Sequence, residues 1–260
     1  MKRIIAIVLL LSVFLSLCSC GTQYATETTK IDKKNTLMIA HRGLSGMEVE
    51  NTESAFIAAG EHSYYGIEAD VRKTADGDFI ICHDDNLRRI SGKNISVETS
   101  TMEELLATEL IGKDGEVERL TTLLNYINIC KQYDKQAILE LKSEFTRDEI
   151  AMIISLITAM DYIERVTFIS FSYDNLKYVR EILPSQSAMY LFKKLDKKVT
   201  EMLIRDKIDV AISYKALTEE ALREFKAAGL KVNCWTVDDV KDAERLAAMG
   251  VDYITSNILE

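Results

Sequence analysis

From residue 36 onward, short apolar runs alternate with longer stretches of helical period. The strand-like runs are "TLMIAH", "YGIEADV", "QAILELK", "RVTFISF", "SAMYLF", "DVAISY", "KVNCWTV" and "VDYITS". Each is brief and close to continuously apolar, as strands buried on both faces are. Between them, "TESAFIAAGEHS", "RDEIAMIISLITAM", "TEEALREFKAAG" and "VDDVKDAERLAAMG" space their apolar residues as amphipathic helices do. Thr218 and Asp238 stand where helices should start, and Gly229 and Gly250 where they should stop.

About eight strands alternating with helices fit a closed (β/α)8 TIM barrel, an architecture of roughly 250 residues. An open doubly wound sheet is the rival, but no G-x-G-x-x-G turn follows the first strand. One region departs from the alternation. From "DFIICHDD" through "ETSTMEELLATELIGKDGEVERL" the pattern reads as an extra hairpin strand and a loop with a short helix. It forms a small insertion after the second strand, before the helix "TTLLNYINICKQY". With Pro184 as the only proline, no proline-rich linker divides the chain, and one domain is expected over 36–260.

The N-terminus has another character. "MKRIIAIVLLLSVFLSLCSCG" carries two basic residues, an apolar run from Ile4 to Leu17, then small residues and cysteines. This is expected to be an export signal, too short for a comfortable membrane span. Its end, "LCSC", resembles a bacterial lipobox, with Cys20 the better lipidation site because bulky Leu17 precedes Cys18. The expected organisation is a lipoprotein-type signal over 1–19, a flexible tether over 20–35 and the folded domain beyond. The chain is then an exported lipoprotein, anchored in the membrane at the bacterial cell surface or periplasmic face. A plain secretory signal or a retained anchor is the alternative.

Composition adds two constraints. Removing residues 1–19 takes away Lys2 and Arg3 and no acid, so the formal charge moves from −9 to −11. So acidic a body is not expected to bind nucleic acid, and an anionic substrate needs local cations or a metal. The three cysteines of the domain, Cys82, Cys130 and Cys234, are odd in number and lie in apolar contexts. They read as buried thiols rather than a disulfide framework. Nothing in the pattern fixes an oligomeric state.

In such a barrel, chemistry sits at the C-terminal ends of the strands. The first strand ends in His41, Arg42 and Gly43; the second carries Glu68 and Asp70; the third ends in Glu140 and Lys142; the seventh ends at Trp235. Strand residues two apart face the same way, so Glu68 converges with Asp70, and Glu140 with Lys142. Carboxylates gathered at a barrel mouth repel one another and lose hydration, a problem that one divalent cation removes. Oxygen-only ligands point to Ca2+ or Mg2+ rather than zinc. The plain alternative is ion pairing of Glu68 and Asp70 with nearby Arg72 or Lys73. Of three histidines, His62 closes the first helix and is expected to be solvated or to cap it. His41 and His83 each follow an apolar strand and precede charged residues, which suits an acid/base pair. Arg42 and Lys142 would supply positive charge, and the whole set suits phosphoryl chemistry.

These residues resemble the glycerophosphodiester phosphodiesterase family. The resemblance runs from about Leu37 to Thr255 and rests on "HRGLSGMEVENTESAF", "GIEADVRKTADGDFIICHDDNLRRISG", "LELK", "FISFSYDNL" and "VNCWTVDDVKDAERLAAMGVDYIT". It implies a (β/α)8 barrel and metal-dependent hydrolysis of glycerophosphodiesters to an alcohol and glycerol 3-phosphate. It implies His41 and His83 as the catalytic pair, Glu68, Asp70 and Glu140 as metal ligands, and Arg42 and Lys142 as phosphate-binding cations. Glu50, in "ENT", corresponds to an acid beside the site that would hold Arg42 or a histidine. Trp235 corresponds to an aromatic next to the glycerol group. The expected reaction is attack by the glycerol 2-hydroxyl, giving a cyclic phosphate that water then opens, with attack by water as the competing route. Two departures stand out: Val49 precedes "ENT" where proline is common, and "TSN" ends the eighth strand where an Asp is common. Neither falls on a residue proposed for the reaction, so both are expected to bear on the substrate rim alone. Rival functions are cleavage of lysophospholipid headgroups or polyglycerol phosphate, and binding without cleavage; the presence of both histidines and every carboxylate weighs against the last.

Overall fold

The computed structural model describes residues 24–260. The expected signal over 1–19 and the lipidation site Cys20 lie outside the described residues. In chain order come β1 (Leu37–Ala40), α1 (Glu53–Glu61), β2 (Gly66–Lys73) and β3 (Phe79–Ile81). Next are α2 (Arg88–Ser91), α3 (Met102–Ala107), β4 (Glu109–Ile111), β5 (Val117–Arg119) and β6 (Thr121–Thr122). Regular alternation then resumes with α4 (Leu123–Gln132), β7 (Gln136–Leu141), α5 (Arg147–Ala159), β8 (Val166–Ser170) and α6 (Tyr173–Ile182). It ends with β9 (Ser187–Phe192), α7 (Lys197–Asp206), β10 (Asp209–Ser213), α8 (Glu219–Ala227), β11 (Val232–Trp235), α9 (Val240–Met249) and β12 (Tyr253–Ser256).

Strands β1, β2, β7, β8, β9, β10, β11 and β12 pair in parallel, and β1 meets both β2 and β12, which closes the barrel. All eight expected strands are present, in the expected order. The interruption also falls where expected: β3 pairs antiparallel with β2, and the region between β3 and β6 holds α2, α3 and the β4–β5 hairpin.

Alternation along the strands sorts the core into two layers. Ile67, Ala69 and Val71 of β2 point outward and pack beneath the helices, with Phe56 and Tyr126 among the largest fully buried side chains there. Ile39, Ile138, Ile169, Met189, Leu191, Ala211 and Tyr253 fill the barrel interior instead. Around this apolar plug, β2 turns Glu68 and Asp70 inward and β7 carries Glu140 two residues beyond Ile138, so the plug is the floor of the mouth. A third cluster, including Val49, Ile80, Leu87, Leu105 and Leu110, attaches the insertion to the barrel. The three domain cysteines are buried and unpaired, as expected.

Helix starts follow local chemistry. Thr52, Thr122 and Thr218 each accept a backbone N–H of the first turn, and Gly250 stops α9 with a φ of 88°. Two expectations change. Asp239, not Asp238, caps α9, accepting from Asp242 N at 3.0 Å. Asp238 is otherwise engaged, with Ser256 and Asn257 at the end of β12. Residues 24–35 also differ from a free tether. They run along the barrel wall in company with the last residues of the chain, with Thr29 N bonded to Ile258 O and Ile31 N to Glu260 O, both at 3.1 Å. Ile31 packs on the main core and Tyr24 on the insertion cluster, which gives this polar stretch apolar footholds the sequence pattern does not reveal.

Phe56 sits between β2 and α4 with its ring 5.0 Å from that of Tyr126. Phe56→Ala is expected to cost about 3–5 kcal/mol of stability, because the surrounding barrel cannot close over the lost volume. Urea denaturation of the two proteins measures this directly.

Candidate active site

The C-terminal ends of β1, β2, β7 and β11 surround one pocket containing His41, Arg42, Glu68, His83, Glu140, Lys142 and Trp235. Parallel pairing of β2 with β7 sets Asp70 beside Glu140 and Glu68 beside Ile138. Glu68, Asp70 and Glu140 are buried, and each offers an oxygen within 4.8 Å of the others. Burial raises all three carboxyl pKa values, and mutual repulsion adds to this for Glu68 and Glu140. Glu68 is pushed well above its ordinary value and Glu140 up to about 8. Asp70 goes the other way: Arg42 and Lys142 outweigh its burial and hold it at about 2. Arg42 and Lys142 thus favour the ionised form of Asp70, while repulsion within the cluster weighs on Glu68 and Glu140.

The donor set fits a hard divalent cation. It is all oxygen and compact, and Asp70 Oδ1 is buried with no hydrogen-bond donor among the described residues. The alternative partners point elsewhere. Arg72 donates to His83 O at 2.8 Å and pairs with Glu98 at 3.1 Å, while Lys73 pairs with Glu149 at 3.3 Å. Lys142 Nζ instead lies 3.0 Å from Glu140 Oε1 and 3.7 Å from Asp70 Oδ1.

A tight turn after β1 brings the next groups in. Arg42 and Gly43 have φ values of 55° and 77°. This aims Arg42 N at Glu68 Oε2, 2.7 Å away, and Gly43 N at Glu68 O, 3.1 Å away. A Cβ at residue 43 would stand 2.6 Å from the Ala55 backbone, so both the turn and the close helix require glycine here. Asn51, also at positive φ, donates to Asp70 Oδ2 at 2.8 Å. Arg42 is pinned between Glu50 at 2.9 Å and Asp70 at 3.4 Å. The neighbouring acids hold the guanidinium pKa up against its burial.

The two histidines sit in different environments. His41 Nδ1 lies 2.7 Å from Asn257 Oδ1. The Asn257 amide group donates in turn to Asp238 at 2.6 Å, and Ser45 Oγ donates to the same Oδ1 at 2.8 Å. The Asn257 oxygen can therefore only accept, which places the proton of neutral His41 on Nδ1 and leaves Nε2 a free lone pair. Burial, reinforced by Arg42, lowers His41 to about 4. His83 Nδ1 instead meets Asp84 Oδ1 at 2.6 Å. Burial lowers His83 too, but Asp70 and Asp84 oppose the shift. Asp84 continues to Arg89 at 2.7 Å and Arg89 to Glu50 at 2.6 Å, so one chain of ion pairs joins His83 to Arg42. His62 caps α1, its Nδ1 2.7 Å from Ala58 O and away from the pocket, as expected.

Six of the eight residues expected around the reaction line the pocket, His41, Arg42, Glu68, His83, Glu140 and Lys142, while Asp70 and Glu50 stand behind it as the partners of Arg42. Trp235 lines its wall, joined by Phe171, whose ring meets it edge-on at 5.5 Å. One expectation is overturned. The departure at the end of β12 does reach a proposed catalytic group, because Asn257 is the residue that holds His41. The sequence pattern offers Asp84, Arg89 and Phe171 no role and Asn51 only a helix start, which Thr52 supplies instead. Arg89 and Phe171 lie inside the quoted motifs, but nothing in local spacing separates them from solvated or core residues.

A parallel barrel with clustered carboxylates, two histidines and two cations at its mouth is the framework of a phosphodiester hydrolase. Residues 41–259 match the model of the glycerophosphoryl diester phosphodiesterase family. A glycerophosphodiester phosphodiesterase of Caldanaerobacter subterraneus is 31% identical over 85% of this chain and 94% of its own. A phosphodiesterase of Oleispira antarctica, solved with its product sn-glycerol-3-phosphate, is 26% identical over 88% of this chain and 96% of its own, with a TM-score of 0.78. A glycerophosphodiester phosphodiesterase structure from Parabacteroides distasonis is 31% identical over 86% and 93%, with a TM-score of 0.73. The chain belongs to the glycerophosphoryl diester phosphodiesterase family and is an enzyme of that class.

His41 should keep its neutral form down to about pH 4 in the folded protein, well below an ordinary imidazole. Asn257→Asp places a carboxylate against Nδ1, which favours the cation and should raise the midpoint by about one unit or more. Histidine titration by NMR reads both values. An unchanged midpoint would show that residue 257 does not set the state of the ring.

Proposed function

We propose that the enzyme hydrolyses glycerophosphodiesters to an alcohol and glycerol 3-phosphate, using His41 and His83 as its acid/base pair and one divalent cation, Ca2+ or Mg2+. The observation that carries this reading is the meeting of Glu68, Asp70 and Glu140 with both histidines, Arg42 and Lys142 around a single pocket. The relative crystallised with sn-glycerol-3-phosphate supports the nature of the product.

Glu68, Asp70 and Glu140 would hold the cation. When bound, it supplies positive charge that stabilises the phosphoryl group as negative charge develops on its oxygens. Arg42 and Lys142 add to that charge and orient the phosphate; the ion pairs of Arg42 with Glu50 and Asp70 fix its plane. Trp235 and Phe171 present apolar faces to the glycerol carbons. His41, kept neutral with Nε2 unprotonated, takes the proton from the glycerol 2-hydroxyl as that oxygen attacks phosphorus. His83, whose cation Asp84 favours, gives its proton to the departing alcohol. The cyclic glycerol phosphate is then opened by water with the two roles exchanged. Holding the nucleophile on the substrate itself lowers the barrier by several kcal/mol or more, because no separate reactant has to be captured. We place the enzyme at the outer face of a membrane, anchored through Cys20.

With glycerophosphocholine as substrate, chelation by EDTA should abolish turnover, and Ca2+ or Mg2+ should restore it. His41→Ala and His83→Ala should each lower kcat by about 10²- to 10⁴-fold. Full turnover in chelator, or in either variant, refutes this mechanism.

The division of labour has its own test. With a p-nitrophenyl ester of glycerol phosphate, whose leaving group needs no proton, His83→Ala should lose far less rate than His41→Ala. An analogue lacking the 2-hydroxyl should resist cleavage; cleavage at the normal rate would point to direct attack by water.

A further inference from the structure

The described chain begins at the catalytic end of the barrel. Ala25 N donates to Gly46 O at 2.8 Å, and Gly46 N donates to Asn257 O at 2.8 Å. Asn257 is the residue that holds His41. Tyr24 packs against the insertion cluster, whose members include Val49, Leu110 and Leu120. From there residues 25–36 descend the wall to the start of β1, so Tyr24, the first described residue, lies at the mouth. What precedes it is the apolar run Ile4–Leu17 and, four positions before Tyr24, Cys20. Four residue steps reach at most about 14 Å. A lipid on Cys20, or the retained apolar run, therefore brings the catalytic end rather than the opposite end to the bilayer.

The surface on that side carries a second feature. Among the described residues, the two most exposed large apolar side chains are Ile111 at 65% and Val117 at 58%. They are cross-strand partners in the β4–β5 hairpin, so they form one apolar tip. The hairpin is held near Tyr24 from beneath: Leu110 is buried in the same cluster, Lys113 lies 3.9 Å from Glu48, and Glu118 bonds Ser54 at the start of α1. The pair is smaller than the contiguous patches that mark a partner by themselves, and its weight comes from its hairpin, whose Leu110 shares one cluster with Tyr24. Two side chains alone bind weakly, but an anchor a few residues away makes their insertion an intramolecular event.

We propose that the Ile111–Val117 hairpin docks into the lipid bilayer to which the N-terminus is anchored, presenting the mouth to glycerophosphodiesters carried by the bilayer itself, of the lysophospholipid kind. The occupant is an uncharged or zwitterionic surface. Glu48, Glu109, Glu116 and Glu118 near the hairpin outnumber Lys113 and Arg119, which disfavours an anionic one. The substrate part of this proposal rests on the phosphodiesterase reading above; the docking part rests on the exposed hairpin together with the anchoring through Cys20 proposed there.

The test uses the full chain reconstituted in phosphatidylcholine vesicles, with an environment-sensitive dye on Ile111→Cys or, for comparison, on Met152→Cys of the outer helix α5. The expected result is a blue-shifted emission at 111, quenched by brominated lipid and insensitive to salt, with none of this at 152. Water-like emission at 111, or burial there in detergent micelles through a second copy of the chain, overturns the docking surface. In the second arm, Ile111→Ser combined with Val117→Ser should lower turnover of vesicle-borne lysophosphatidylcholine by about fivefold or more while leaving soluble glycerophosphocholine unaffected. An equal change on both substrates, or on neither, overturns the proposal. Failure of the wild type on soluble glycerophosphocholine would instead sink the phosphodiesterase reading, and the dye measurement is independent of it.

Discussion

Three acidic side chains confined to a nearly dry barrel mouth govern the local design of this enzyme. Water that would have shared their charge is excluded by the apolar plug below and by the aromatic wall beside them. Each neighbouring group can be understood as a response. Lys142 reaches back from its own strand to Glu140 and Asp70. Arg42 reaches Asp70 from the next strand, at the cost of a left-handed backbone that also sends its N–H to Glu68. Asn51 adopts the same unusual backbone to serve Asp70. Strain of this kind persists where surrounding contacts over-determine it. Here the contacts are the carboxylates themselves.

The same constraint explains why the insertion belongs to the site and not to its periphery. His83 and Asp84 follow β3, and Arg89 comes from α2, all supplied by the segment that breaks the barrel repeat. Arg89 bonds Glu50, which bonds Arg42, so the insertion is tied electrostatically to the turn after β1. The half-exposed Arg89 pairs would be worth little singly, since solvent screens them. As a continuous network running into a buried site they fix orientations instead: the ring of His83 and the plane of Arg42 are set by one connected chain of contacts.

Much of this was legible in the sequence, and the reason is geometric. Strand alternation is strict, so "EAD" and "LELK" announce which carboxylates share a face before any fold is known. The closed barrel then turns two neighbouring faces into one site. What stayed hidden depends on contacts distant in sequence. Asn257 lies 216 positions from His41, and local pattern cannot reveal that it orients that ring. Asp238 looks as good a helix cap as Asp239; only the demand of Ser256 and Asn257 for an acceptor decides between them. Residues 24–35 look like a tether because their composition is polar. Yet a parallel bridge between Thr29 and Leu259 pairs them with the chain's own end, at a separation no windowed reading spans.

That last contact gives the wall segment a consequence for catalysis. The turn carrying His41 is bonded to Asn257 on one side, and Gly46 links both to Ala25. The Ser45 hydroxyl lies within hydrogen-bond reach of both His41 O and Asn257 Oδ1, so these residues form one hydrogen-bonded unit at the rim. A segment that merely connected a leader to a domain would have no reason to enter this unit; one that sets the height and tilt of the mouth would. Its backbone bonds to Ile258 and Glu260 continue that contact down the wall toward β1, so the rim unit and the start of the first strand are joined by one paired segment.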